Sequence, residues 1–231
     1  MKTLGLVGGT SWESTQVYYR LLNQGVRARL GGEHSAQLVL WSVDFADLAL
    51  LPAKGAWDEV AAILIQAARA VERAGAEALM LCANTMHRVA DEVQAAVDIP
   101  MIHIADVTAQ AVVARGVRAP LLLATRFTME EAFYRDRLKA LGVEALTPDK
   151  PDRDRLHEII YDELILGVVD PRSRALLLDV IDADRDRLGI DGVILGCTEF
   201  GLLIGQQDLS LPLIDTTVAH AEAGVEFLLS A

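Results

Sequence analysis

Cysteine is scarce in this 231-residue chain: Cys82 and Cys197 are the only two. That is far too few for a disulfide framework, so reduced thiols and a cytoplasmic location are expected. Basic charge is also short. Twenty-one Lys and Arg side chains face 33 acidic ones, the formal net charge is -12, and no Lys/Arg cluster occurs. A nucleic-acid binder needs a basic face to meet phosphate, so that class of partner is excluded. Long apolar runs are missing too. The longest are pieces such as Ala61-Ala62-Ile63-Leu64-Ile65, well below the roughly 18 residues that cross a bilayer. Residues 1–9 carry one charge, a short apolar stretch and a polar turn, and read as a first strand rather than a leader peptide. No membrane partner is expected.

Cofactor signatures are equally sparse. The lysines are Lys2, Lys54, Lys139 and Lys150, and none follows an apolar strand, so nothing supports a pyridoxal-phosphate Schiff base. His103 lies near Asp106 and His220 near Glu222, but no spacing matches a zinc site. Gly5-x-x-Gly8-Gly9 is not a dinucleotide fingerprint, and no phosphate-loop Gly-Lys-Ser/Thr occurs. Neither cofactor nor metal is expected.

What is present is apolar residues at 52%, enough for a substantial core. The length suits one large domain or two lobes of about 100 residues each. Short apolar runs at 3–7, 36–41, 78–82, 101–104, 119–124, 192–195 and 211–214 alternate with longer amphipathic stretches. One such stretch places Val60, Ile63, Leu64, Ala67, Ala68 and Val71 on one face and ends at Gly75. This alternation implies an α/β fold with parallel sheets. The polar run 148–155 reads as a solvated loop leading into a helix.

The chain also repeats itself. Leu6-Val7-Gly8-Gly9-Thr10-Ser11-Trp12 matches Leu121-Leu122-Leu123-Ala124-Thr125-Arg126-Phe127 at an offset of 115. Leu79-Met80-Leu81-Cys82-Ala83-Asn84-Thr85 matches Val193-Ile194-Leu195-Gly196-Cys197-Thr198-Glu199 at 114, and Asp98-Ile99-Pro100-Met101-Ile102 matches Ser210-Leu211-Pro212-Leu213-Ile214 at 112. Three strand-to-helix junctions in one order imply two pseudo-symmetric lobes, 1–104 and 105–214, with the active site expected in a cleft where matching strand ends meet.

Cys197 follows the run 192–195, with Gly196 permitting a tight turn. At a helix N-terminus its thiol would feel the positive end of the dipole and favour thiolate; the competing reading is a buried, inert thiol. Across the repeat Cys197 aligns with Ala83, whereas Cys82 aligns with Gly196. A one-residue shift in a strand turns a side chain to the opposite face, so Cys82 is read as structural. Thr10, Ser11 and Trp12 follow the first strand, and Asn84 and Thr85 the third. Thr125, Thr128 and Thr198 take the matching places in the second half. Helix capping explains any one of these hydroxyls and amides; the set at matching turns suits a small carboxylate ligand. His87, three residues after Asn84, reads as a core or surface histidine.

Residues 1–9, Asn84-Thr85-Met86-His87 and Gly196-Cys197-Thr198-Glu199 resemble the aspartate/glutamate racemase family. The likeness is closest to its bacterial branch of L-aspartate/glutamate-specific and broad-specificity enzymes. It extends over Gly31-Gly32-Glu33-His34-Ser35-Ala36-Gln37, Ser42-Val43-Asp44-Phe45 and Thr128-Met129-Glu130. The resemblance implies a two-lobed, cofactor-independent racemase, often a homodimer, whose last helix, 215–231, returns to the first lobe. It implies inversion of the α-carbon of an acidic amino acid by proton transfer on opposite faces. Cys197 takes the second acid/base position, and Thr10, Asn84, Thr85, Thr125, Thr128 and Thr198 the carboxylate-binding ones.

The first acid/base position falls on Ala83, where the family has cysteine or threonine. A methyl group transfers no proton. Three readings stand side by side: Ala83 replaces an original acid/base, Cys82 moves into its place, or the chemistry runs on one base. Ile165 stands where some aspartate racemases carry a lysine that grips the distal carboxylate. The alternatives to a racemase are a one-cysteine decarboxylase or isomerase of small dicarboxylates, and a non-catalytic amino-acid-binding protein.

Overall fold

The computed structural model describes all 231 residues, which form two compact units: Met1–Ile104 with Thr217–Ala231, and Ala105–Thr216. The first unit contains β1 (Leu4–Gly8), α1 (Trp12–Leu30), β2 (Leu38–Ser42), α2 (Trp57–Arg73), β3 (Ala78–Leu81) and α3 (Ala90–Gln94). The second contains α4 (Ile104–Ala114, from its second residue), β4 (Pro120–Leu123), α5 (Arg126–Glu130), α6 (Ala132–Ala140), α7 (Lys150–Asp162), α8 (Pro171–Leu188), β5 (Gly192–Leu195) and β6 (Leu213–Asp215). α9 (Thr216–Leu229) belongs to the first unit from Thr217 onward.

Both sheets are parallel and three-stranded, ordered β2-β1-β3 and β4-β5-β6. Leu4 pairs with Leu38 and Ala78; Pro120 pairs with Gly192, and Val193 with Leu213. Single bridges complete the repeat: Met101 pairs with Leu79, and Leu146 with Leu121. Each unit thus has the same four-position order, with one outer member shrunk to a bridge, the last in the first unit and the first in the second. The strand expected over 101–104 is therefore only that bridge. The Ile102 N–H donates to the Leu79 carbonyl at 2.9 Å, after which the Ile104 N–H turns to the His87 Nε2 (3.3 Å) and α4 begins. The run 211–214 pairs only from Leu213, because the Gln206 amide takes the Leu211 carbonyl and the Leu213 N–H. The polar run 148–155 is not a loop. Asp149 caps Asp152 N–H, Pro151 sits in the first turn, and α7 starts at Lys150.

β1, β3, β4 and β5 are buried on both faces, as parallel strands under helices require, while the edge strand β2 is half-buried to exposed. In the first unit, Leu4, Leu6, Ala78, Met80 and Cys82 pack with Tyr18, Leu22 and Val225 of α1 and α9. Val7, Leu79 and Leu81 pack with Leu64, Ala68 and Val71 of α2. The second core gathers Leu121, Leu123, Val193 and Leu195 with Leu156, Ile160, Leu177 and Ile181 of α7 and α8. No helix is long and apolar enough to cross a membrane.

Candidate active site

β1 and β3 are neighbours, so the residues that follow them share the C-terminal edge of the first sheet. Leaving β1, the chain passes through Gly9 at φ 84°, where a Cβ would run into the Val43 carbonyl, so only glycine fits. The Gly9 N–H donates to Thr15 Oγ1 (2.8 Å), which donates to the Ser11 carbonyl (2.9 Å). Ser11 Oγ accepts the Ser14 N–H at 3.3 Å as the N-cap of α1. Its hydroxyl is therefore engaged in building the turn. Thr10 differs: its Oγ1 is buried and has no hydrogen-bond partner in the protein. A buried hydroxyl without a partner is costly unless something else meets it. Trp12, the first residue of α1, is 64% exposed.

After β3, Cys82 points into the core with Leu4, Leu6 and Met80, and burial pushes its thiol far above the ordinary range. Reaching the sheet edge would require turning the strand by one residue. The matching Gly196 has no room for such a side chain, since a Cβ there would lie 2.7 Å from Leu122 Cδ1. Ala83 is half-buried, and Asn84 and Thr85 are buried at the start of a short 3-10 turn, Thr85–Val89.

The second sheet presents an equivalent edge beyond β4 and β5. Thr125 caps α5, accepting the Thr128 N–H at 3.4 Å with its Oγ1 lying 3.2 Å from Thr128 Oγ1. Cys197 leaves β5 and precedes another 3-10 turn, Thr198–Leu202. Its thiol donates to Glu199 Oε2 at 2.9 Å, and Thr198 Oγ1 donates to the same oxygen at 2.7 Å. Cys197 and Glu199 are both buried.

This corrects the expectation of a thiolate at a helix N-terminus. A single 3-10 turn carries too short a dipole to dominate. Burial, then the negative charge of Glu199 and the hydrogen bond to it, hold the thiol well above its ordinary pKa. The resting group is Cys–SH with its proton aimed at a carboxylate.

Four residues at this edge escaped the sequence reading as site candidates: Glu199, Tyr161, His157 and Arg126. Burial pushes the Tyr161 hydroxyl up to about 12, and the electrostatic influence of Cys197 and Glu199 adds to this while Arg126 opposes it. The His157 ring lies 4.6 Å from that of Tyr161, and its Nδ1 accepts the Arg126 N–H at 3.4 Å. Burial and the Arg126 charge hold His157 below its ordinary pKa. Glu199 closes the Gly-Cys-Thr-Glu segment, whereas Tyr161 and His157 offer only a one-turn helical spacing. Ile165 packs on the second core. No group of three or more His, Cys, Asp or Glu side chains converges as a metal site would need.

Two repeated parallel α/β units, each with hydroxyl-bearing turns at its strand ends and one with a thiol–carboxylate pair, are the framework on which the comparisons bear. The chain belongs to the Asp/Glu/hydantoin racemase family, whose model matches residues 7–224, and is an isomerase of that family. It is 48% identical to a candidate Asp/Glu racemase from Yersinia pestis, covering 100% of both chains with a TM-score of 0.91. It is 37% identical to an aspartate racemase homologue from Pyrococcus horikoshii OT3, again covering 100% of both, with a TM-score of 0.87. Among curated proteins, the broad specificity amino-acid racemase RacX of Bacillus subtilis (strain 168) is 25% identical over 177 residues, 75% of this chain and 74% of RacX.

Proposed function

We propose that this chain is a cofactor-independent amino-acid racemase acting on aspartate, glutamate or a broader set, with Cys197 as its proton-transfer group. The observation that carries this reading is the buried Cys197 thiol donating to Glu199 at a strand end. The thiol passes its proton to the Glu199 carboxylate. The resulting thiolate takes the α-proton of the amino acid and leaves a carbanion. A proton, exchanged with solvent, then returns from Cys197 to the same face, which gives exchange with retention; inversion needs a proton delivered to the opposite face, where Ala83 supplies none. Thr10, Ser11, Trp12, Asn84 and Thr85 at one strand edge, and Thr125, Thr128 and Thr198 at the other, are assigned to substrate binding. Hydroxyls, an amide and N–H groups suit carboxylates.

Ala83 occupies the first acid/base position and transfers no proton. The protein as it stands is therefore expected to exchange the α-proton of one enantiomer readily and to invert it slowly. Cys82, locked in the core, is not assigned to the reaction. Two reduced, buried thiols fit a cytoplasmic enzyme. A homodimer is proposed on the family resemblance alone.

A second reading draws on the Ala83 methyl. One thiol suffices to reprotonate the enediolate left when a malonate loses carbon dioxide. Deuterium exchange at Cα of L- and D-aspartate and glutamate, beside carbon dioxide release from malonates, separates the two: exchange without carbon dioxide supports the racemase.

A further inference from the structure

His87 sits one turn beyond position 83, buried within the first unit and outside the chemistry assigned above. Its Nδ1 lies 2.8 Å from the Ala83 carbonyl, and its Nε2 lies 3.3 Å from the Ile104 N–H. A carbonyl can only accept and an N–H can only donate. The ring is therefore neutral, with its proton on Nδ1.

Other rings clamp it from behind. His103 lies 4.5 Å away, and His220 lies 5.9 Å away. His220 is itself fixed by the Tyr18 hydroxyl at Nδ1 (2.9 Å) and the Ile102 carbonyl at Nε2 (2.7 Å). A side chain held this way has one reachable orientation, and so does the carbonyl it grips. The peptide that carries this carbonyl joins residue 83 to Asn84. Its plane sets where the side chain of residue 83 points and where the Asn84 N–H is aimed.

We propose that His87 is a positioning residue that, through its Nδ1–H bond to the carbonyl of residue 83, fixes the direction of the Cα–Cβ bond there, and so sets how well an acid/base placed at position 83 can work. This rests on the racemase reading, and the test keeps the two apart. The Ala83→Cys variant is combined with His87→Asn or His87→Gln. An asparagine nitrogen sits where Nδ1 was and keeps the bond to residue 83 but not the one to Ile104. A glutamine carboxamide reaches the Nε2 place and does the reverse. Both lose the ring, so a merely structural role predicts equal losses.

The inference predicts that His87→Asn keeps the racemisation gained by Ala83→Cys to within about threefold, while His87→Gln loses on the order of 10²-fold, as misaimed groups do. The loss is expected in kcat rather than KM. Iodoacetamide alkylation of the thiol introduced at position 83, read by mass spectrometry without substrate, should follow the same order: unchanged with asparagine, altered with glutamine. Equal behaviour of the two variants in alkylation overturns the inference. Absence of racemisation in every variant, with alkylation still split, refutes the racemase reading and leaves the positioning intact.

Discussion

The Sγ of Cys197 stands 2.9 Å from Oε2 of Glu199, and Thr198 Oγ1 reaches the same oxygen from 2.7 Å. One carboxylate oxygen thus faces two donors, and its charge opposes ionisation of the thiol. Replacing Glu199 by Gln removes that charge while keeping an acceptor oxygen. The pH profile of Cys197 alkylation is expected to move to lower pH, because a like charge no longer disfavours thiolate. An unmoved profile would show that burial alone sets the thiol. Cα exchange should fall in the same variant, since the remaining amide oxygen accepts the hydrogen bond but cannot take the proton itself.

Restoring an acid at position 83 should restore inversion. Loss of one proton-transfer group costs on the order of 10²–10⁴-fold, so Ala83→Cys is expected to raise racemisation by a factor in that range, with Ala83→Thr also raising it. Polarimetry or chiral chromatography of aspartate and glutamate checks this. An Ala83→Cys variant no faster than the parent would remove position 83 from the reaction.

Thr10 makes a different kind of prediction. Its hydroxyl is buried with no partner in the protein, so Thr10→Val removes a polar atom without breaking a hydrogen bond. Stability should hold or rise slightly. Amino-acid binding should weaken by roughly tenfold, the worth of one hydrogen bond to a charged group. Thermal unfolding and a KM measurement together test it; a lower melting temperature with unchanged KM would assign the hydroxyl to the fold.

The histidines of the first unit make stability depend on pH. Burial holds His220 near 3, with His87 nearby adding to the effect, while the unfolded chain keeps the ordinary value. The folded state thus refuses a proton that the unfolded state accepts. Stability is full above about pH 6.5 and is lost as pH falls toward 3, by roughly 4 kcal/mol at the lower end. Urea midpoints from pH 7 to 4 should fall steadily, and His220→Gln should flatten the slope. An equally steep slope in that variant would shift the effect to other groups.

Much of this was legible beforehand, for definite reasons. β1, β3, β4 and β5 are central strands with apolar side chains on both faces, and such runs stand out in any sequence. The repeat fixed Ala83 opposite Cys197 because the turns after β3 and β5 have the same length. The outer members were harder. A bridge at Leu146 leaves no pattern, and Met101 reads like a strand because its neighbours are apolar. The sequence does not encode the electrostatics of Cys197, because a glycine and a following polar pair look the same before a helix and before a 3-10 turn. The direction of the Glu199 side chain decides the issue, and spacing does not encode it. His157 and Tyr161 reach the edge from α7, far from the repeated turns.

The most direct test follows Cα deuteration of both enantiomers of aspartate and glutamate in heavy water, comparing the protein with its Cys197→Ala variant. The account predicts exchange of one enantiomer by the parent protein, outrunning inversion, and none above background in the variant. Exchange that persists at the parent rate without the sulfur would contradict it.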